Sequence, residues 1–105
     1  MIEVDRENFQ EEVLEAAGPV LVDFWSPRCE HCLELDPEIE MLAEKYGHRV
    51  KFTKVNVLEN RRLAISQKVL GLPVVAIYLG GQKVAELAGD VTGQAIEDQI
   101  NQVAP

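Results

Sequence analysis

The stretch Val20-Leu21-Val22-Asp23-Phe24-Trp25-Ser26-Pro27-Arg28-Cys29-Glu30-His31-Cys32 leaves this chain few architectures to choose from. Val20 to Val22 is an apolar run of the kind that is buried in a sheet. Pro27 stops it, and an amphipathic helical pattern starts at the cysteines. The chain therefore passes from strand to helix within a short loop, and both of its cysteines sit there as Cys-x-x-Cys. At a helix start the free amides and the positive end of the macrodipole stabilise a thiolate on Cys29. Cys32 lies one turn along, close enough to close a disulfide. The same spacing is also half of a zinc site, so the surroundings have to decide.

Length and charge narrow the choice. At 105 residues the chain reads as one domain, 1–105, large enough for a core without staples or a structural metal. Its net charge of −8 repels phosphate backbones and anionic lipid, so neither nucleic acid nor membrane is an expected partner. No apolar run reaches bilayer length, and Met1-Ile2-Glu3-Val4-Asp5-Arg6 lacks the basic and apolar segments of a signal peptide. The expectation is a cytoplasmic protein, and in reducing cytosol a lone cysteine pair is catalytic more often than structural.

Taken in order, Met1 to Val4 fits a short strand. Asn8 reads as a helix N-cap with Glu11 as its capping-box partner, and Phe9, Val13, Leu14 and Ala17 form the apolar stripe before Gly18-Pro19. Val20 to Trp25 is apolar on both sides except at Asp23, which places it centrally in a sheet. The helix after Cys29 repeats Cys32, Leu35, Ile39, Leu42 and Tyr46 at steps of three and four. Glu34, Glu38, Glu40 and Glu44 take its solvated side, Pro37 kinks it, and Gly47 stops it. A strand follows over Val50 to Val57, with Val50, Phe52 and Lys54 on one face. Asn60 to Lys68 reads as a shorter helix with Leu63, Ala64 and Gln67 inward. Val74 to Leu79, the turn Gly80-Gly81 and Lys83 to Ala88 form a hairpin. Thr92 caps a last helix that buries Ile96, Ile100 and Val103. This order implies an α/β protein with a mixed sheet covered by helices on both faces.

Several of these segments together resemble the thioredoxin family. Val22-Asp23-Phe24-Trp25-Ser26-Pro27 before Cys-x-x-Cys, Pro37 after it, Lys54 and Asn56 on the third strand, Gly71-Leu72-Pro73, Gly81 and Gly89 are similar to the family's motifs in kind and spacing. The resemblance spans essentially the whole chain. It implies the thioredoxin fold, a central mixed sheet of about five strands flanked by four helices. It departs at three places: Arg28 replaces an aromatic residue, Glu30-His31 replaces Gly-Pro, and Val74 follows Pro73 where Thr is common. A histidine at position 31 is more like disulfide isomerases and periplasmic oxidases.

The implied activity is thiol–disulfide exchange with no cofactor and no metal. Cys29 is the nucleophile and Cys32 the resolving, more buried thiol. His31 beside the sulfur stabilises the thiolate and makes the couple more oxidising. Glu30 opposes it, and Arg28 partly offsets Glu30. Asp23, anomalous in an apolar strand, either reaches water at the strand end or, as the resemblance implies, lies behind Cys32 with a raised pKa and takes its proton. Lys54 is its expected partner. The resemblance also implies a cis Pro73, with the Leu72 backbone pairing to an extended substrate. Trp25, Pro27, Ala88 and Gly89 would complete an apolar docking rim. His48 reads as plain surface.

The leading reading is thus reduction of protein disulfides, with electrons from a thioredoxin-reductase-like donor, by a monomer. Three alternatives stand beside it. One is a disulfide oxidase or isomerase, to which His31 points. Another is a non-catalytic binding module using Leu72 and Pro73, which would have no need of both cysteines. The last is a metal site of Cys29, His31 and Cys32, whose ligands are too crowded to surround one zinc.

Overall fold

Strand β2, Val20–Trp25, is apolar on both sides, and it takes the middle of the sheet. In the computed structural model, which describes Met1 to Pro105, the sheet order is β1-β3-β2-β4-β5. The flanking strands are β1 (Ile2–Glu3), β3 (Lys51–Asn56), β4 (Val74–Leu79) and β5 (Gln82–Ala88). Strands β1 and β2 run parallel to β3, β4 runs antiparallel to β2, and β5 returns antiparallel to β4. Gly80 and Gly81, with φ of 62° and 82°, make the tight hairpin turn between β4 and β5.

Alternation along the strands divides the core in two. Val20, Val22 and Phe24 join Val55, Val74, Ala76 and Tyr78 on one face. That face is covered by Phe9, by Val13 of the π-helical turn Gln10–Leu14, and by Ala64 of helix α2, Arg61–Ser66. Leu21, Phe52, Val75 and Ile77 face the other way. They pack on Leu35, Ile39 and Leu42 of helix α1, Glu30–Tyr46, and on Ile96 and Ile100 of helix α3, Gly93–Val103. The expected mixed sheet with four helical segments on its two faces is what forms.

The α1 pattern holds throughout. Cys32, Leu35, Ile39, Leu42 and Tyr46 are its buried residues, and the helix runs through Pro37. Thr92 caps α3 by accepting from the Ala95 amide at 3.1 Å. The first helical segment departs from expectation. Asn8 is not its N-cap and Glu11 closes no capping box. The Asp5 carboxylate accepts from the Glu7 and Asn8 amides at 2.8 and 3.2 Å, while Asn8 Oδ1 accepts from the Asp5 amide at 2.7 Å. Two Asx side chains three residues apart thus satisfy each other's backbone and form a closed turn. The segment ends with the Glu15 amide donating to the Gln10 carbonyl, before Ala17 can return to the core; Ala17 is exposed and Ala16 packs inward. Four elements also differ in their bounds, the first being β1, which covers Ile2–Glu3 rather than the expected Met1 to Val4. Strand β3 begins at Lys51 and ends at Asn56, strand β5 begins at Gln82, and α2 is shorter than Asn60 to Lys68 because Lys68 adopts φ 63°.

Candidate active site

Cys29 is the N-cap of α1, and its sulfur accepts from the Cys32 amide at 3.2 Å. Pro27 and Arg28 lie exposed in the loop that delivers it. Ser26, buried, shapes that loop: its carbonyl accepts from the Cys29 amide at 3.0 Å and its hydroxyl from the Arg28 amide at 3.1 Å. Cys29 and Cys32 are disulfide-bonded, with Cα atoms 5.2 Å apart. Cys29 is half-buried and Cys32 is 4% exposed, so the first keeps access to solvent while the second starts the apolar stripe of α1. No group of three or more His, Cys, Asp or Glu side chains is placed to hold a metal ion.

Asp23 is 3% exposed, on the face of β2 that looks toward α1. Its pKa is pushed up to about 7 from 3.8. Burial is the largest cause, because an ionised carboxylate loses its water there. The negative charge of Asp36 adds to the shift, Lys54 opposes it, and Glu40 adds again. The structure corrects one expectation about this acid. Lys54 is the register neighbour of Asp23 on β3, but its ammonium makes its ion pair with Glu3 at 4.0 Å and lies 5.3 Å from the Trp25 ring centroid. It acts on Asp23 through its field, without a contact ion pair.

Trp25, Cys32, Leu33, Asp36 and Lys54 line a cavity of about 200 Å³. Trp25 Nε1 is buried without a hydrogen-bond partner. A space with these polar walls is roomy enough for water between Cys32 and the charged groups. Trp25 therefore belongs to the surroundings of Cys32, whereas Leu72 lines a separate cleft with Ser26 and Ile65. The Leu72-Pro73 peptide is cis, and Pro73 is buried. Register sets Ala88 opposite Val74, next to Pro73, and Gly89 follows with φ 81°, a backbone that suits glycine. Ala88 and Gly89 are exposed at that position.

Glu30 is exposed. His31 has a partner that local sequence did not offer: Nε2 lies 3.2 Å from the Val91 carbonyl. With a proton on Nε2 the ring ties the start of α1 to the loop after Gly89. Sequence reasoning missed Asp36, while Glu40 is exposed with the other solvated acids as expected and acts on Asp23 only through its charge. The signal for Asp36 was available, since it follows Cys32 by four residues and so lies one turn along the same side.

A half-buried helix-capping cysteine bonded to a buried one, with a proton-holding acid on the adjacent strand, defines a dithiol oxidoreductase of the thioredoxin fold. The comparisons agree over nearly the full chain. The thioredoxin family model matches residues 1–102. A thioredoxin of Peptoclostridium acidaminophilum is 53% identical over 101 residues, covering 95% of this chain and 92% of its own length. A thioredoxin of Acetoanaerobium sticklandii is 48% identical over 101 residues, with 95% and 96% covered, and thioredoxin 1 of a Nostoc species is 38% identical over 89 residues, with 85% and 83% covered. The chain belongs to the thioredoxin family and is a thiol–disulfide oxidoreductase working through Cys29 and Cys32.

Proposed function

We propose that the protein works in the reducing direction, passing two electrons from the Cys29–Cys32 dithiol to disulfides of partner proteins. The direction is carried by the likeness to thioredoxins at about half identity over nearly the whole chain. The asymmetry of the pair, Cys29 half-exposed at the helix start and Cys32 buried, supplies an attacking and a resolving thiol. The Cys29 thiolate attacks one sulfur of the substrate disulfide, and the other leaves as a thiolate that takes a proton from solvent. Cys32 then gives its proton to the Asp23 carboxylate, directly or through water, and attacks the Cys29 sulfur. The second substrate thiol leaves, and the Cys29–Cys32 disulfide remains. Lys54 biases Asp23 toward its ionised form, and Arg28, Glu30 and His31 adjust the couple. Leu72 and Pro73 with Ala88 and Gly89 hold the substrate chain, and Pro27 borders them.

A thioredoxin-reductase-like donor returns the electrons, and the protein acts as a monomer. Both cysteines are committed to one reactive pair, which suits the cytoplasm. Two measurements test the reading. Cys32→Ser should trap a one-to-one mixed disulfide on Cys29 that a dithiol removes, and Cys29→Ser should trap none. Equilibration against a thiol buffer should give a midpoint potential at or below the cytosolic glutathione poise, roughly −220 to −260 mV by extraction. A value far above that range would make the protein an oxidant of its partners and refute the direction.

A further inference from the structure

Lysine makes every ion pair in this molecule: Lys45 to Glu97, Lys51 to Glu12, Lys54 to Glu3 and Lys83 to Glu86. The arginines make none, although the chain carries 18 acidic residues and the guanidinium fork is the better carboxylate partner. Arg49 covers the Tyr46 ring at 5.1 Å. Arg6, Arg61 and Arg62 converge instead on one cleft of about 460 Å³. Asn60, buried at its base, joins the two walls by accepting from the Arg6 amide at 3.1 Å and donating to the Asn56 carbonyl at 3.0 Å. The one acid lining the cleft, Glu59, accepts from the Asn56 side chain at 3.2 Å and pairs with no arginine. The cleft thus carries three arginines against one acid, and the hollow that adjoins it at Arg6 and Glu59 adds Asp5 and Glu7, so its positive side is the Arg61–Arg62 wall.

That concavity leads toward the redox pair. Arg61 and Leu58 also line a second, mainly apolar cleft of about 290 Å³, which runs past Ile65 to Leu72 and Ser26. Ile65 is 64% exposed there, a large apolar side chain without cover. Ser26 holds the Cys29 amide, and Leu72 precedes the cis proline. We propose that the joined clefts select disulfide substrates by a segment with an apolar residue near the attacked cysteine and carboxylates farther along. The apolar residue fills the cleft by Ile65 and Leu72, and the carboxylates meet Arg61 and Arg62. This rests on the reductase reading above and adds a substrate preference to it. The rest of the surface repels acidic partners, so the local positive site also fixes the direction in which the segment lies.

The test uses the reduced full chain in single turnovers on disulfide peptides of matched length. Each carries Leu beside a cysteine and then Asp-Asp, Asn-Asn or Lys-Lys, roughly two to six residues on from the cysteine. The expected order is Asp-Asp fastest, by roughly fivefold in second-order rate over Asn-Asn, expressed in the half-saturation concentration. The advantage should fade in about 0.5 M salt and collapse to parity in R61S/R62S. Parity in the unaltered protein would overturn the proposal, as would a preference that survives the double substitution. A short oligothymidylate that binds while the peptides show parity would reassign the cleft to phosphates, also overturning it. Hydroxyethyl disulfide separates the two levels of the argument. If it is reduced while the peptides react equally, only the substrate preference falls; if neither it nor any peptide is reduced, the reductase reading falls and takes the preference with it.

Discussion

Strand β2 shows Val20, Val22 and Phe24 to one side of the sheet and Leu21, Asp23 and Trp25 to the other. The first side is apolar from end to end. It packs on Phe9, Val13 and Ala64, and the Phe9 and Tyr78 rings meet edge to face at 5.7 Å. The second begins the same way, with Leu21 among Ile39, Ile96 and Ile100. Toward the C-terminal end of the strand it changes character: Asp23 is buried in register with Lys54, and Lys54 and Asp36 line the cavity that Cys32 and Trp25 share. The two sides are buried alike, but only the second holds a group that titrates near neutrality. The apolar side holds no group of this kind, and on the other side some stability is exchanged for a buried carboxyl that keeps its proton to higher pH.

Removing packing from the apolar side should produce the largest loss. Phe24→Ala should destabilise the protein by about 3–5 kcal/mol, equally at pH 5 and pH 8, as measured by urea unfolding. Asp23→Asn should act in the opposite sense and only over part of the pH range. The folded state holds the Asp23 proton between pH 3.8 and about 7, where the unfolded state has released it. Wild-type stability from this group therefore falls as pH rises through that window and levels off above it. Asp23→Asn has no such loss, so it should match the wild type near pH 3 and exceed it at pH 8 by on the order of 4 kcal/mol. A pH-independent difference would contradict the buried-acid account.

A smaller change sharpens the comparison within α1. Asp36 raises the Asp23 pKa, so Asp36→Asn should move the Asp23 titration, followed by carboxyl NMR, to lower pH. The equivalent change at Glu34, exposed on the same helix, should leave it in place. The least effect is expected from His31. His31→Pro removes its link to the Val91 carbonyl and should lower the midpoint potential by no more than about 30 mV. A raised potential would reverse the role given to this residue.

Periodicity made most of the fold legible. The apolar runs of β2 and β4 and the three-and-four spacing of α1 each placed their residues correctly, because each pattern reflects a local geometry that packing merely fills. Thr92 announced its helix for the same reason. Asn8 did not, since Asp5 competes for the same amides and the winner depends on the turn both build. The site divides along similar lines. Cys29, Cys32 and the cis Leu72-Pro73 peptide stand in motifs that identify their structural settings. The field around Asp23 depends on which acids of an amphipathic helix turn toward the sheet, and for Asp36 the only sequence signal is its place one turn after Cys32. His31 and Val91 are 60 residues apart and Arg6 and Asn60 are 54 apart, so only the folded chain shows that they meet.

The most direct test of the proton site is the pH dependence of the resolving step. A mixed disulfide formed between Cys29 and a small thiol can be mixed rapidly across pH 5 to pH 9 and its collapse to the Cys29–Cys32 disulfide timed. The account predicts a wild-type rate that rises through an apparent pKa near 7 as Asp23 ionises, and a slower Asp23→Asn rate lacking that inflection. Identical profiles in the two proteins would show that Cys32 loses its proton without Asp23, and would contradict it.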